Sequence, residues 1–154
     1  MQIPALEEYG LRCLIQVALR QAERPVSVHE IAQAEGLGPE YVARIMGILR
    51  AGGLVESTRG AGGGYRLSRH AREISAWDAI TVLGAQLFSE KFCNCYTGRR
   101  RECAHATNCS LRSIWQKVRA VLRETLEGIS LEDLRRDEGA MRTWLGHQVA
   151  ASPN

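Results

Sequence analysis

Four cysteines fall within 17 residues, in the segment KFCNCYTGRRRECAHATNCSLRSIW: Cys93, one residue, Cys95, seven residues, Cys103, five residues, Cys109. Thiols grouped this way in a reducing compartment ligate metal or cycle between thiol and disulfide. A closed zinc site wants four ligands, which these cysteines supply with His105 in reserve. Its usual pairs, however, hold two to four residues between cysteines, and this loop does not. An iron-sulfur cluster tolerates wider and less regular spacing, because several loop cysteines converge on one inorganic core. A redox disulfide switch is the third reading. The run Arg99, Arg100, Arg101 would offset the negative charge of a thiolate-bound cluster, and it fits a solvated basic loop equally well. Cys13 stands apart in a helical apolar pattern and reads as core.

A second group of residues suits an anionic partner. Residues 38–72 carry six arginines (Arg44, Arg50, Arg59, Arg66, Arg69, Arg72) against Glu40 and Glu56, whereas the whole chain is only +3. Arginine is the better fork for phosphates and guanine edges, although 18 of the 20 basic residues being Arg also fits a plain compositional bias. The Gly-rich stretch RGAGGGYRLSR invites comparison with a phosphate-cradling loop. It fails in detail: G-x-G-x-x-G would need glycine where Tyr65 stands, and no G-K-[ST] follows. His29, His70, His105 and His147 are scattered, and no nucleophile–base order or paired-carboxylate pocket stands out, so an enzyme is not expected.

The elements that must position these residues follow from periodicity and caps. Residues 4–22 predict a helix ended by Pro25. Ser27-Val28-His29-Glu30 is a capping box opening a helix over 28–35, which Gly36 closes. Pro39 starts the next, with Tyr41, Val42, Ile45, Ile48 and Leu49 as its apolar stripe, and Gly52-Gly53 stop it. Two short helices joined by a Gly-containing turn form a helix-turn-helix. Leu54-Val55 and Tyr65-Arg66-Leu67 then read as strands of a hairpin wing. Ser75 caps a helix expected to run through Leu87, and Leu111 to Ile129 repeats apolar residues at three and four over nearly five turns. That stripe predicts a second copy as partner. Ser130-x-x-Asp133 opens one more short helix, and the tail from about 147 reads as poorly ordered.

With 154 residues, 45% apolar and 24% charged, the chain has one domain's worth of core. No apolar run suits a membrane helix and MQIPALEEYG lacks the features of a signal peptide, so a cytoplasmic location without membrane association is expected.

The order helix, helix-turn-helix, RGAGGGYRLSR, Cys-rich loop, then C-S-L-R-S-I-W opening a long helix resembles the Rrf2 family of bacterial winged-helix regulators, including its IscR-like and NsrR-like iron-sulfur sensors, over about residues 1–130. The resemblance implies a homodimeric transcription factor with long helices crossing between subunits and a cluster near their interface. It implies that Arg59, Gly60, Gly62, Gly63 and Gly64 form the wing motif beside Tyr65, with Arg59 entering the minor groove. It places Glu40, Tyr41 and Arg44 on the reading helix, where an acid is unusual unless it accepts from a cytosine amine. Cys103 and Cys109 match the family's last two cluster cysteines. The family's first falls at what is Thr97 here, so the role passes to Cys93, with Cys95 as the alternative. In IscR-like members a His follows the last cysteine by three, where this chain has Arg112. NsrR-like members use an acid of the partner's first helix, which corresponds to Glu8, followed one turn later by Arg12. An ordinary surface pair between Glu8 and Arg12 is the competing reading.

These readings combine into a mainly α fold: a winged helix-turn-helix DNA-binding domain (1–73) with a small β-hairpin wing, a connecting helix (74–90), a cluster-binding loop (91–109), a dimerisation helix with a C-terminal helix (110–146) and a flexible tail (147–154). The expected function is a regulator, a repressor, that binds a palindromic operator in double-stranded DNA under control of a 2Fe-2S or 4Fe-4S iron-sulfur cluster sensing redox state, nitric oxide or iron. The alternatives are a zinc- or thiol-based DNA-binding regulator and an iron-sulfur protein without a DNA role. No small-molecule substrate is expected.

Overall fold

The computed structural model describes residues 5–20, 24–60, 62–84, 103 and 105–151, the last four as backbone. Helix α1 (Ala5–Arg20) places Gly10, Cys13, Leu14, Val17 and Ala18 on one buried face, the three-and-four spacing that turns a single stripe inward. Against it pack α2 (Val28–Glu35) and α3 (Pro39–Ala51), the two arms of the helix-turn-helix. The α2 cap forms as its residues predict. The Glu30 amide donates to Ser27 Oγ at 3.3 Å, and the Ser27 amide donates to Glu30 Oε2 at 2.9 Å. Gly36, at φ +66°, closes the helix in the left-handed region that favours glycine. Helix α3 buries Val42, Ile45, Met46 and Leu49, while Tyr41 and Ile48 of the expected stripe are half-buried at its edge.

After α3 the chain makes an antiparallel hairpin of β1 (Val55–Thr58) and β2 (Gly64–Leu67), in the register Val55 with Leu67, Glu56 with Arg66, Ser57 with Tyr65 and Thr58 with Gly64. A single 3-10 turn (Ala71–Glu73) leads to α4 (Ala76–Val82), capped by Ser75 and Asp78. This helix is shorter than periodicity predicts. It stops at Val82, because Leu83 becomes its cap and Gly84 turns to φ +96°; Leu87 and the remainder of the expected helix lie outside the described residues.

Helix α5 (Ser110–Glu127) buries none of its residues in this subunit. The chain then rejoins the body: the Ala76 amide donates to the Ile129 carbonyl at 2.8 Å, the Leu131 amide donates to the Ile74 carbonyl at 2.7 Å, and Leu131 is fully buried. Ser130 and Asp133 exchange cap hydrogen bonds, but they start only a 3-10 turn (Asp133–Arg135) where a short helix was expected. Helix α6 (Glu138–Ala151) continues past residue 147, so the first five residues of the segment expected as tail are helical. Among the described residues no helix is long and apolar enough to cross a membrane.

The α2 cap carries a pH signature. Arg24 and the Ser27 hydrogen bonds hold the Glu30 carboxyl well below its ordinary 4.5, at about 2. A carboxylate lowered in this way stabilises the fold above the unfolded value and loses that contribution as pH falls through the folded one. Acid unfolding followed by circular dichroism should therefore show Glu30→Gln less stable than wild type above pH 4.5, with the difference closing as pH falls towards 2.

Candidate nucleic-acid interface and thiol pair

The rotation of α3 is set by its four buried side chains, and this leaves Glu40, Ala43 and Arg44 exposed, with Gly47 one turn further along the same face. Tyr41, placed on the reading helix by sequence, is half-buried. Its ring meets Tyr9 of α1 edge-on, with centroids 6.1 Å apart and planes at 85°, and the Arg12 guanidinium lies 5.8 Å over the Tyr9 ring. Tyr41 thus ties α3 to α1 as well as flanking the exposed face.

The wing separates outward-facing residues from those the chain itself requires. Arg59 and Gly60 are exposed at the tip, Gly60 at φ +109°, and a Cβ on Gly62 would meet nothing. Gly63 and Gly64 have an internal reason to be glycine. A Cβ on Gly63 would lie 2.5 Å from the Thr58 carbonyl oxygen, and one on Gly64 would lie 2.5 Å from that of Val26. Tyr65, next in line, exchanges two backbone hydrogen bonds with Val26, at 2.9 and 2.8 Å, so the hairpin is fastened to the segment that enters α2. Sequence reading missed this tether. It also missed the internal role of Arg50, whose Nη1 donates to Ser57 Oγ at 3.3 Å and links the end of α3 to β1. Of the six arginines in 38–72, Arg69 pairs with Asp78 at 3.3 Å. Arg44, Arg59, Arg66 and Arg72 are exposed and make no ion pair among the described residues. The exposed side of α3 and the wing tip thus present Arg44 and Arg59 without an ion pair among the described residues, beside the exposed Glu40, and guanidinium groups suit phosphates and base edges.

At the other end, Cys103 and Cys109 are free thiols, both half-buried. The Ala106 amide donates to the Cys103 carbonyl at 3.0 Å, and the Arg112 amide donates to that of Cys109 at 3.2 Å. Arg112, which replaces a histidine of one branch, has a different task here. Its guanidinium donates to the carbonyls of Ala106 at 2.7 Å and His105 at 3.4 Å, bracing the loop between the two cysteines. His105 is exposed, and Cys93 and Cys95 lie outside the described residues. Among the described residues no three His, Cys, Asp or Glu side chains come together as a metal-ion site.

Glu8 is exposed on α1 and makes no hydrogen bond or ion pair among the described residues. The surface pair with Arg12 does not form. Arg12 instead donates to Glu35 at 2.6 Å, and Gln16 donates to the other oxygen of that carboxylate, so Glu35 of α2 captures the guanidinium across the helix contact. Cys13 is fully buried; desolvation, then the nearby Glu35 charge, pushes its thiol up to about 12, and it has no thiolate to offer.

Along α5, Leu111, Ile114, Trp115 and Val121 are exposed, 38–58% of each side chain's residue surface being open to solvent. These residues form an apolar stripe that stays largely exposed, outside the core of the described residues.

Comparison with known proteins agrees with this geometry. Residues 5–137 match the family described as Rrf2: Iron-dependent Transcriptional regulator. The chain is 31% identical over 137 residues to Protein rrf2 of Nitratidesulfovibrio vulgaris, covering 89% of each chain. It is 33% identical over 134 residues to the HTH-type transcriptional regulator CymR of Bacillus subtilis, covering 87% of this chain and 89% of that one. Among solved structures, that of T. potens IscR superposes with a TM-score of 0.68 at 28% identity, covering all of this chain and 93% of the other. The structure of CymR, the global cysteine regulator of B. subtilis, gives 0.67 at 32% identity, covering 88% and 96%.

The wing packing yields a stability prediction that needs no DNA. Gly64→Ala must push the hairpin away from Val26 and should cost about 2 kcal/mol, as an overpacked site does. Gly62→Ala, into open space, should change the urea midpoint little.

Proposed function

The chain belongs to the Rrf2 family of transcriptional regulators, and on that premise we propose that it is a homodimeric repressor whose affinity for a palindromic operator is set by an iron-sulfur cluster. The observation that carries the reading is the placement of two half-buried thiols, Cys103 and the α5 cap Cys109, ahead of a helix whose Leu111, Ile114 and Val121 remain exposed. A stripe of that length suits a second copy of the same helix, and pairing two copies would also pair two reading helices at a half-site spacing. In this reading Cys103, Cys109 and Cys93, or Cys95 in its place, hold the cluster. The unpaired carboxylate of Glu8 reaches it from the partner subunit.

Thiolates and one carboxylate are a fitting donor set for iron. When bound, the cluster supplies an iron centre that responds to oxidants, nitric oxide or iron supply. This chain's residues do the rest. Arg112 braces the loop between the two cysteines, and α1 carries Glu8 on the same helix that receives Tyr41 and Glu35, so a displacement of α1 is felt by both arms of the helix-turn-helix. On the DNA, Glu40, Tyr41 and Arg44 of α3 lie in or beside the major groove. Arg59 enters the minor groove from the wing, where Gly60, Gly62, Gly63, Gly64 and Tyr65 shape its approach. Phosphate contacts from the exposed arginines make binding fall steeply with salt.

A thiol-based regulator is the second reading, supported by the similarity to CymR, one of whose solved forms, from Staphylococcus aureus, is described as oxidized. Protein purified without oxygen separates the two. A brown protein with visible absorbance and stoichiometric iron and sulfide supports the cluster; a colourless one, with zinc or no metal, moves sensing to the thiols. Cys103→Ala and Cys109→Ala should each abolish the chromophore yet leave a folded dimer by light scattering, and full absorbance in either removes that cysteine from the ligand set. Arg59→Ala should weaken operator binding by about 1–3 kcal/mol with absorbance unchanged, and unaltered binding removes the wing from recognition.

A further inference from the structure

Glu40 and Arg44 stand four residues apart on α3 with the acid N-terminal, the order in which an exposed helical ion pair forms most readily. The same arrangement closes in α6, where Arg142 reaches Glu138. On α3 it stays open: among the described residues no hydrogen bond or ion pair joins Glu40 to Arg44, and both are exposed. The neighbouring acids differ, since Glu30 holds Arg24 and Glu35 holds Arg12. Two complementary charged groups are thus displayed separately on the face that the buried Val42, Ile45, Met46 and Leu49 turn away from the core. Between them Ala43 presents only a methyl group, and Gly47 beyond them has no side chain, with nothing within 4 Å of the position a Cβ would take. No bulk on this face keeps a groove floor away from either charge.

Each group suits one base edge. A carboxylate has only acceptors, and the strong donor a cytosine offers in the major groove is its N4 amine. A guanidinium has only donors, which match the O6 and N7 acceptors of guanine. Four residues of α-helix rise about 6 Å, and base pairs stack about 3.4 Å apart, so the two bases lie within about two base pairs of one another. Resting on the operator-binding reading above, we propose that Glu40 and Arg44 together specify the half-site: Glu40 selects a cytosine, and Arg44 selects a guanine within two base pairs of it.

Selection of bound duplexes from a randomised pool, using full-length protein purified without oxygen, tests this. Wild type should return a palindrome whose half-site contains both bases. Glu40→Gln should exchange the cytosine for adenine at that one position by about tenfold, because a carboxamide pairs with adenine N6 and N7. Arg44→Ala should flatten the guanine position and leave the cytosine. If the cytosine survives Glu40→Gln unchanged, the acid serves only the positive end of the α3 dipole and the proposal is overturned while operator binding stands. If wild type returns no motif, operator binding fails and the proposal falls with it.

Discussion

Val42, Ile45, Met46 and Leu49 of α3 share one solvent-free core with Cys13, Leu14 and Val17 of α1, and the orientation of the reading helix follows from that burial. Burying each large apolar side chain is worth roughly 2 kcal/mol. A rotation of α3 by one residue, about 100°, would expose much of that surface and forfeit a large share of the roughly 5–15 kcal/mol by which a domain is stable. The rotation is therefore held firmly, and with it the outward placement of Glu40, Ala43 and Arg44. Tyr41 against Tyr9, and Glu35 across to Arg12 and Gln16, add polar and aromatic fastening at the rim of the same contact.

The wing depends on that core at second hand. Two strands of four residues are marginal on their own. Here the inner ends, Val55 and Leu67, are buried with the helices, and Tyr65 is bonded on its far side to Val26, so the hairpin is bridged at one residue to the chain entering α2. Gly63 and Gly64 permit this approach by having no Cβ. Helix α3 and the wing are consequently fixed to one body through separate contacts.

Helix α5 follows the opposite rule. Its apolar residues satisfy helical periodicity as well as those of α1 do, yet none of them joins the core of the described residues. Cys109 caps its beginning, with Cys103 six residues earlier, and the segment after its end is tied to the helical body through Ile129 and Leu131. The helix thus stands in the chain between the Cys-rich loop and the segment hydrogen-bonded to Ile74 and Ala76.

Much of this was legible from the residues. The capping box at Ser27 and Glu30, the stop at Gly36, Pro39 at a helix start and the hairpin around RGAGGG are local signals, written in neighbouring residues and little altered by the rest of the chain. Cys13 as core and α5 as an amphipathic helix follow from periodicity alone. What depended on distant partners was not legible. The i,i+4 rule pairs Arg12 with Glu8, but Glu35 in the next helix offers a carboxylate that is itself buried, where the attraction is less screened, and it wins. Helix α4 ends early because Gly84 turns left-handed, against a periodicity that continues to Leu87. Gly63 and Gly64 read only as parts of the wing motif, and the structure adds that they leave room for the chain's own backbone. Most elements, their caps and the residue types displayed on α3, the wing and the Cys-rich segment follow from the residues alone, because those are set by local sterics and hydrogen bonding. Tertiary structure decided which charges are already spent and which remain open, because that depends on which helix lies across from which.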